Sequence, residues 1–211
     1  MDSGRVSFTG IPLTALDFYE ALEADNSKAF WTANKHVYDA DVKAPLAALA
    51  DQLEAEFGPG KMFRPYRDVR FSADKTPYKT RQGIWFDQSA VYVHVSAAGL
   101  FLAAGHWQYA AQLMDRYRAA VDEERTGATL ERIVATLRAA GWEIGGERLV
   151  RVPSGYPKDH PRADLLKHKT LTAHRELGAP DWLSTPAAAT EIAARWRELA
   201  PLTAWLGKHR S

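Results

Sequence analysis

Side chains that could bind an anion are concentrated in two parts of the chain, which we call the first basic stretch (residues 61–81) and the second basic stretch (residues 148–175). Each carries seven Lys/Arg against two Asp/Glu, a net charge of +5. Removing these 14 basic and 4 acidic residues from the chain's 27 and 26 leaves 13 basic and 22 acidic residues, net −9. Because guanidinium groups match phosphate and carboxylate geometry, the two stretches predict a pocket for a small anion if they meet in the fold.

The first basic stretch, KMFRPYRDVRFSADKTPYKTR, begins with a pattern typical of a β-strand over residues 62–71. Strand alternation places Arg67 on the core-side face, where a buried guanidinium needs a carboxylate or several carbonyls as partners. That face also carries the apolar side chains of Phe63, Val69 and Phe71. The opposite face presents a polar row of Arg64, Tyr66, Asp68 and Arg70. The alternative is a structural ladder of ion pairs, since such networks imitate binding sites.

A loop over residues 72–79 follows this segment and is stiffened by Pro77, whose ring fixes its φ angle. The loop offers charged and hydroxyl donors from Lys75, Thr76, Tyr78 and Lys79. In the binding interpretation, the lysines supply charge, and Tyr78 supplies an aromatic wall and a hydroxyl. Lysine-rich loops are also commonly just solvated, so both interpretations stay open.

The second basic stretch contains a loop, GYPKDHP, held between two prolines. Tyr156 in this loop would supply a further aromatic wall, and Lys167 and Lys169 would project from a short helix beginning near Pro161. Asp159 lies beside His160, but adjacent side chains seldom pair in useful geometry, so we interpret Asp159 as the cap of that helix. If the site performs chemistry, the candidate general bases are Asp68 and His160.

Several classes of site are unsupported by the sequence. The chain has no cysteine, which excludes disulfides, thiolate metal sites and a cysteine nucleophile. It has no phosphate-binding glycine loop, GxGxxG, HExxH or GxSxG motif. The histidines lack metal-ligand spacing, and His94 in VYVHV is expected on a semi-buried sheet face rather than as a ligand. We therefore expect no cofactor and no metal.

The periodicity of the chain predicts an α+β protein. The N-terminal third, a middle segment from Tyr109 and the C-terminal segment have helical spacing, and Pro45 is expected to start a new segment or to kink the preceding helix. Strands are predicted at residues 62–72, 91–95, 100–103 and 148–152. Short strands without long helical crossovers favour a mostly antiparallel sheet from the central segment, packed with the N-terminal, middle and C-terminal helices. We expect a single domain over residues 1–211.

The two basic motifs, FRPYRDVRFSADKTPYKT and GYPKDHPRADLLKHK, resemble a bacterial and fungal family described as domain of unknown function 2461. An earlier segment, DNSKAFWTANKHVYDADVKAPL, is also similar to that family. The likeness runs from about Phe18 to Trp205. It implies a soluble, single-domain protein, and it brings no activity or catalytic residue that could be carried over.

The leading hypothesis is therefore a pocket for a phosphate- or carboxylate-bearing ligand. One alternative is a structural or interaction protein whose arginines are all paired internally. The other, less favoured, is a nucleic-acid-binding face, which would lose affinity steeply with salt. No signal peptide and no apolar run long enough to span a membrane is present, so we expect a cytoplasmic protein without a membrane partner. The sequence does not specify an oligomeric state.

Overall fold

A computed structural model describes residues 7–70, 73–106 and 111–209. Within these residues the helices are α1 Thr14–Ala24, α2 Lys28–Val37, α3 Ala44–Phe57, α4 Ala111–Asp122, α5 Glu124–Ala139, α6 Ala163–Leu166 and α7 Ala187–Lys208. The strands are β1 Gly60–Met62, β2 Arg81–Phe86, β3 Val91–Ser96, β4 Gly99–His106, β5 Glu143–Gly145 and β6 Leu171–Gly178. The strands form an antiparallel sheet in the order β1-β2-β3-β4-β6-β5. The predicted α+β class is confirmed.

The chain divides into two compact units, which we describe separately. The first comprises Met1–Leu102 and Glu176–Arg195, and the second comprises Ala103–Arg175 and Trp196–Ser211. The boundary falls inside three elements, β4, β6 and α7. The first basic stretch belongs to the first unit and the second basic stretch to the second. The expected single domain over residues 1–211 stays a prediction.

The core of the first unit forms where helix α1 packs against strand β3 and helix α3 packs against strand β2. Val91, Val93 and Val95 are buried at alternate positions of β3, as the period of two along a strand requires. Across the antiparallel register, Ile84 faces Val93 and Phe86 faces Val91. The intervening residues of β3, with the even numbers 92, 94 and 96, lie on the opposite face. The strand predicted at residues 91–95 is confirmed.

Helices α2 and α3 are joined without a loop by a π-helical segment, Tyr38–Lys43. The run begins at Ser27, whose hydroxyl accepts a hydrogen bond from the Phe30 N–H at 3.1 Å and so caps α2. It ends at Gly58, which adopts a φ of 84°. Pro45 lies in the first turn of α3, where its missing N–H removes one helical hydrogen bond. The predicted break at Pro45 therefore takes the form of a π-helical segment directly before it.

The core of the second unit is formed by buried apolar side chains of α4, α5 and the C-terminal part of α7. Tyr117 of α4 is buried and donates its hydroxyl to the Leu165 carbonyl at 2.9 Å. Trp205 of α7 donates its indole N–H to the Thr126 carbonyl at 3.0 Å. The apolar residues packed with them include Val121, Leu130, Val134, Leu137, Leu199 and Leu202.

Several predicted boundaries were wrong, and prolines and local turns explain them. The strand expected over residues 62–72 ends at Met62, because Pro65 lacks the N–H that a ladder needs, and only an isolated bridge between Tyr66 and Tyr78 follows. The strand expected at 148–152 is reduced to a bridge between Arg148 and His168. The short helix expected near Pro161 is α6, which begins at residue 163. Some expectations lie outside the described residues, namely those for Phe71, Ser72 and Tyr109.

In the part of the chain that the structure describes, no helix has the length and apolar character that crossing a membrane requires.

Candidate functional site

Two arginines of the first basic stretch lie near Lys79, whose ammonium lies over the Phe63 ring, and we call Arg64, Lys79 and Arg81 the cationic cluster. Two backbone hydrogen bonds bring them together. The Phe63 N–H donates to the Gly83 carbonyl at 3.0 Å, which places residue 63 beside strand β2. The Lys79 N–H donates to the Pro65 carbonyl at 2.8 Å, which brings Lys79 back alongside Arg64. Arg81 is the first residue of β2 and shares a strand face with Gly83.

The cationic cluster is a region of uncompensated positive charge. Lys79 Nζ lies 5.5 Å from the centroid of the Phe63 ring, in a cation–π arrangement. Partial burial lowers the pKa of Lys79, and the charges of Arg64 and Arg81 lower it further. Within residues 7–70, 73–106 and 111–209, none of the three forms an ion pair. A bound anion would relieve the repulsion between these charges.

An aromatic row continues from Phe63 across the face of the sheet opposite the buried valines of β3. The Phe63 and Tyr92 ring centroids are 6.2 Å apart, and those of Tyr92 and His94 are 5.5 Å apart. The His94 imidazole stacks on Phe101 at 4.5 Å with an interplanar angle of 15°. Gly83 makes room for this row, because a Cβ at that position would lie 2.2 Å from the Tyr92 hydroxyl oxygen. The cationic cluster therefore borders an aromatic surface.

His94 has the most unusual electrostatic environment on this face. Burial lowers the pKa of His94 from 6.5 to about 3, and the nearby charge of Arg81 adds to the effect. Its Nδ1 atom is buried and has no hydrogen-bond partner within the described part of the chain. The imidazole is therefore neutral near pH 7. Its position on a semi-buried sheet face is the one expected from the alternation of VYVHV.

Other cations of the first basic stretch are paired locally. Arg67 was expected on the core-side face, but it is exposed and binds Asp74 and Thr76. The reason is that residues 63–70 do not form a regular strand, so strand alternation does not apply to them. Arg70 forms two hydrogen bonds with Asp68, at 2.9 Å from Nε and 2.7 Å from Nη2. Around Arg67 and Arg70, the first basic stretch therefore fits the alternative interpretation, a structural network of ion pairs.

Two further candidates of the first stretch have local partners. Lys75 Nζ donates to the Val69 carbonyl at 3.0 Å. The hydrogen bonds from Arg70 lower the pKa of Asp68. That carboxylate is therefore a weaker base than an ordinary aspartate, which disfavours it as the general base of a reaction near neutral pH.

Tyr66 and Tyr78 belong to an aromatic cluster around Trp31. The Tyr78 ring is buried and stacks on the Trp31 ring at 4.3 Å with an interplanar angle of 8°. The Asn26 side chain holds the Tyr78 backbone on both sides, donating to its carbonyl at 3.0 Å and accepting from its N–H at 3.1 Å. Tyr66 lies at the edge of this cluster and is 48% exposed. Tyr78 therefore packs in the core, whereas the Tyr66 ring is partly accessible.

In the second basic stretch, the predicted ligand lysines contact carboxylates. Lys167 Nζ lies 3.3 Å from Asp164, which also binds Arg148 at 3.0 Å. Lys169 Nζ lies 4.0 Å from Glu147. Burial raises the pKa of the Tyr156 hydroxyl, and the charge of Asp122 raises it further. Ligand binding by Tyr156, Lys167 and Lys169 stays a prediction from the sequence.

Arg162 of the second stretch was not among the predicted site residues, yet it is the arginine with the most protein contacts there. Its side chain is only 4% exposed. It donates to the carbonyls of Val121 at 2.7 Å and Asp122 at 2.9 Å, and to the Glu124 carboxylate at 3.0 Å. The last carbonyls of an α-helix lack helical partners, so Arg162 caps the C-terminus of α4. Gly127 allows this approach, since a Cβ there would lie 2.5 Å from Arg162 Nε.

His160 is held on both ring nitrogens. Its Nδ1 accepts the Arg162 backbone N–H at 2.9 Å, so the proton of the neutral ring is on Nε2. That Nε2 donates to Asp122 Oδ1 at 3.1 Å. The expected cap by Asp159 was wrong, because the N-cap of α6 is Arg162 and no side chain bonds to the helix start. With both nitrogens occupied, His160 positions its loop against α4 and has no free lone pair for a substrate proton.

The strand that carries Arg81 was missed by sequence reasoning. Residues 81–86 (RQGIWF) contain the β-branched and aromatic residues typical of strands, which was the available signal. A glycine and a glutamine interrupt the apolar alternation there. Gln82 is nevertheless buried, because it accepts the Tyr38 hydroxyl at 2.8 Å and donates to the Phe63 carbonyl.

Most of the chain matches the model of a known protein family. The model of a family described as "Conserved hypothetical protein (DUF2461)" matches residues 14–205, which include both basic stretches. No curated protein and no solved structure matches the chain. Within the described residues, no group of three or more His, Asp or Glu side chains is placed to hold a metal ion.

Proposed function

The chain belongs to the DUF2461 family, and we propose that it binds a small phosphate- or carboxylate-bearing ligand at the cationic cluster. The observation that carries this proposal is the proximity of Arg64 and Arg81 to Lys79, which lies over the Phe63 ring, without a carboxylate partner for any of the three in the described part of the chain. Arg67 and Arg70, a few residues away, each have an aspartate. Arg67 and Arg70 therefore serve the protein's own structure, whereas the three residues of the cationic cluster are available to a ligand.

The chemistry of the cluster suits an anion with several oxygens. Two guanidinium groups present planar forks that form bidentate hydrogen bonds with phosphate or carboxylate, and the Lys79 ammonium adds a point charge. Partial burial of Lys79 strengthens its interaction with a bound charge, because water screens it less. The two predicted general bases are both engaged, Asp68 by Arg70 and His160 by Asp122. We therefore propose binding, and no catalytic step.

Calorimetric titration of the full chain with inorganic phosphate, pyrophosphate and citrate tests this function. We expect Lys79→Gln and Arg81→Gln each to weaken binding of the best of these anions about ten-fold, since a hydrogen bond to a charged group contributes about 1.5–3 kcal/mol. Arg70→Gln is the matched control, because that exposed arginine already has Asp68 as a partner. It should leave the affinity within about two-fold. Binding unchanged in the Lys79→Gln/Arg81→Gln double variant, or no binding by the wild-type protein, would contradict the proposal.

A structural role is a second candidate for the second basic stretch alone. The buried Arg162, with two carbonyls and a carboxylate as partners, supports it. Under this proposal the stretch stabilises the α4–α5 region and needs no ligand. A cytoplasmic location stays a prediction from the sequence.

A further inference from the structure

The segment around Arg64 exposes aromatic surface beside the cationic cluster. Phe63 is 39% exposed and Tyr66 is 48% exposed, and they belong to the few large hydrophobic residues that are exposed in the described chain. Both lie within two residues of Arg64. Single exposed apolar side chains are ordinary on a protein surface. Two exposed aromatic side chains within two residues of an arginine that has no ion-pair partner in the described part of the chain form a more specific arrangement, because one short segment then offers both charge and aromatic surface.

The Phe63 ring is held in place rather than free to collapse onto the protein. Its backbone N–H is bonded to Gly83, and its ring lies between the Lys79 ammonium at 5.5 Å and the Tyr92 ring at 6.2 Å. Offset or edge-to-face pairs of rings form at centroid separations of about 4.5–7 Å. The exposed part of the Phe63 ring can therefore receive a further ring while the cluster receives a charge.

We propose that the anion bound at the cationic cluster carries an aromatic ring that packs against Phe63, as in an aryl phosphate or aryl carboxylate. This inference rests on the proposed function and names the ligand class of the same site. The charged group of the ligand meets Lys79 and Arg81, and its ring covers apolar surface that an aliphatic anion would leave in water. Ring stacking and apolar burial then favour an aromatic anion over an aliphatic anion of equal charge.

A pair of phosphate monoesters that differ only in the organic group tests the inference. We expect the wild-type protein to bind phenyl phosphate about ten-fold more tightly than ethyl phosphate in calorimetry. Phe63→Leu should reduce that preference to near one. Val150→Ala, which shortens an apolar side chain that is 94% exposed, is the control and should leave the preference unchanged. Because Phe63 is exposed, a melting curve of Phe63→Leu close to that of the wild type is expected and verifies folding.

The outcomes separate this inference from the proposed function. Equal affinities for the two esters, both weakened by Lys79→Gln, would overturn the aromatic ligand and leave anion binding intact. A preference for phenyl phosphate that persists in Phe63→Leu would also overturn it. Failure of both esters to bind, or binding insensitive to Lys79→Gln, would overturn anion binding itself. An affinity for oligothymidylate that rises with the length of the oligonucleotide would show that the cluster binds a nucleic acid and not a small ligand.

Discussion

Arg67 binds Asp74 and Thr76, whereas Lys79 lies over the Phe63 ring with Arg64 and Arg81 as neighbouring charges. These cations belong to one stretch of sequence, and their surroundings differ because a turn around Asp74 captures Arg67. The Asp74 carboxylate accepts the Thr76 N–H at 2.9 Å, which fixes that turn. At the level of single residues, the location of the nearest carboxylate decides which cations are left for a ligand.

His94 gives a residue-level prediction for stability against pH. Its pKa is about 3 in the folded protein and 6.5 in the unfolded chain, so between these values only the unfolded state binds the proton. The free energy of unfolding therefore falls as the pH falls from 6.5 towards 3, by about 1.4 kcal/mol per pH unit from this group. His94→Gln should flatten that part of the profile in urea titrations at several pH values. An unchanged slope in His94→Gln would show that other groups cause the acid sensitivity.

At the scale of elements, Arg162 holds the end of α4 through the carbonyls of Val121 and Asp122. Arg162→Gln would leave the buried Val121 carbonyl and the partly buried Asp122 carbonyl without this donor, and we expect a loss of about 1–3 kcal/mol in the free energy of unfolding. The control is Arg148→Gln, since Arg148 and Asp164 form an exposed pair worth less than about 1 kcal/mol. Chemical denaturation of both variants measures the difference. Equal losses would contradict the capping role of Arg162.

Elements defined by local signals could be predicted, and those defined by distant contacts could not. The break at Pro45 and the strand around Val93 each follow from residues within a few positions. Strand β2 contains Gln82, a polar residue that is buried because Tyr38, 44 residues earlier, donates to it and the Phe63 carbonyl accepts from it. The same limit applied to the site. The charge of the first basic stretch was visible in the sequence. The position of Arg81 in the candidate site depends on strand β2, which was not predicted.

At the scale of the whole molecule, the division into two units is tested by unfolding. Because β4, β6 and α7 each contribute residues to both units, we expect a single cooperative transition in urea. Tryptophans report on both parts, with Trp31, Trp85 and Trp182 in the first unit and Trp142, Trp196 and Trp205 in the second. Fluorescence and far-ultraviolet circular dichroism should give coincident curves. Two separated transitions would show that the units fold independently and would contradict the single domain.

The π-helical segment gives the run between α2 and α3 one residue more than an ordinary α-helix needs. The Ala44 N–H donates to the Asp39 carbonyl, five residues back instead of four. Because each π-helical residue turns the chain less than an α-helical residue does, the extra residue is taken up without turning the buried row of Leu46, Leu49 and Leu53 away from the core. Removing one residue from Tyr38–Lys43 would therefore restore an ordinary α-helix and leave α3 facing nearly the same way. The same deletion within α3 would rotate the residues that follow it by about 100° and should be far more damaging.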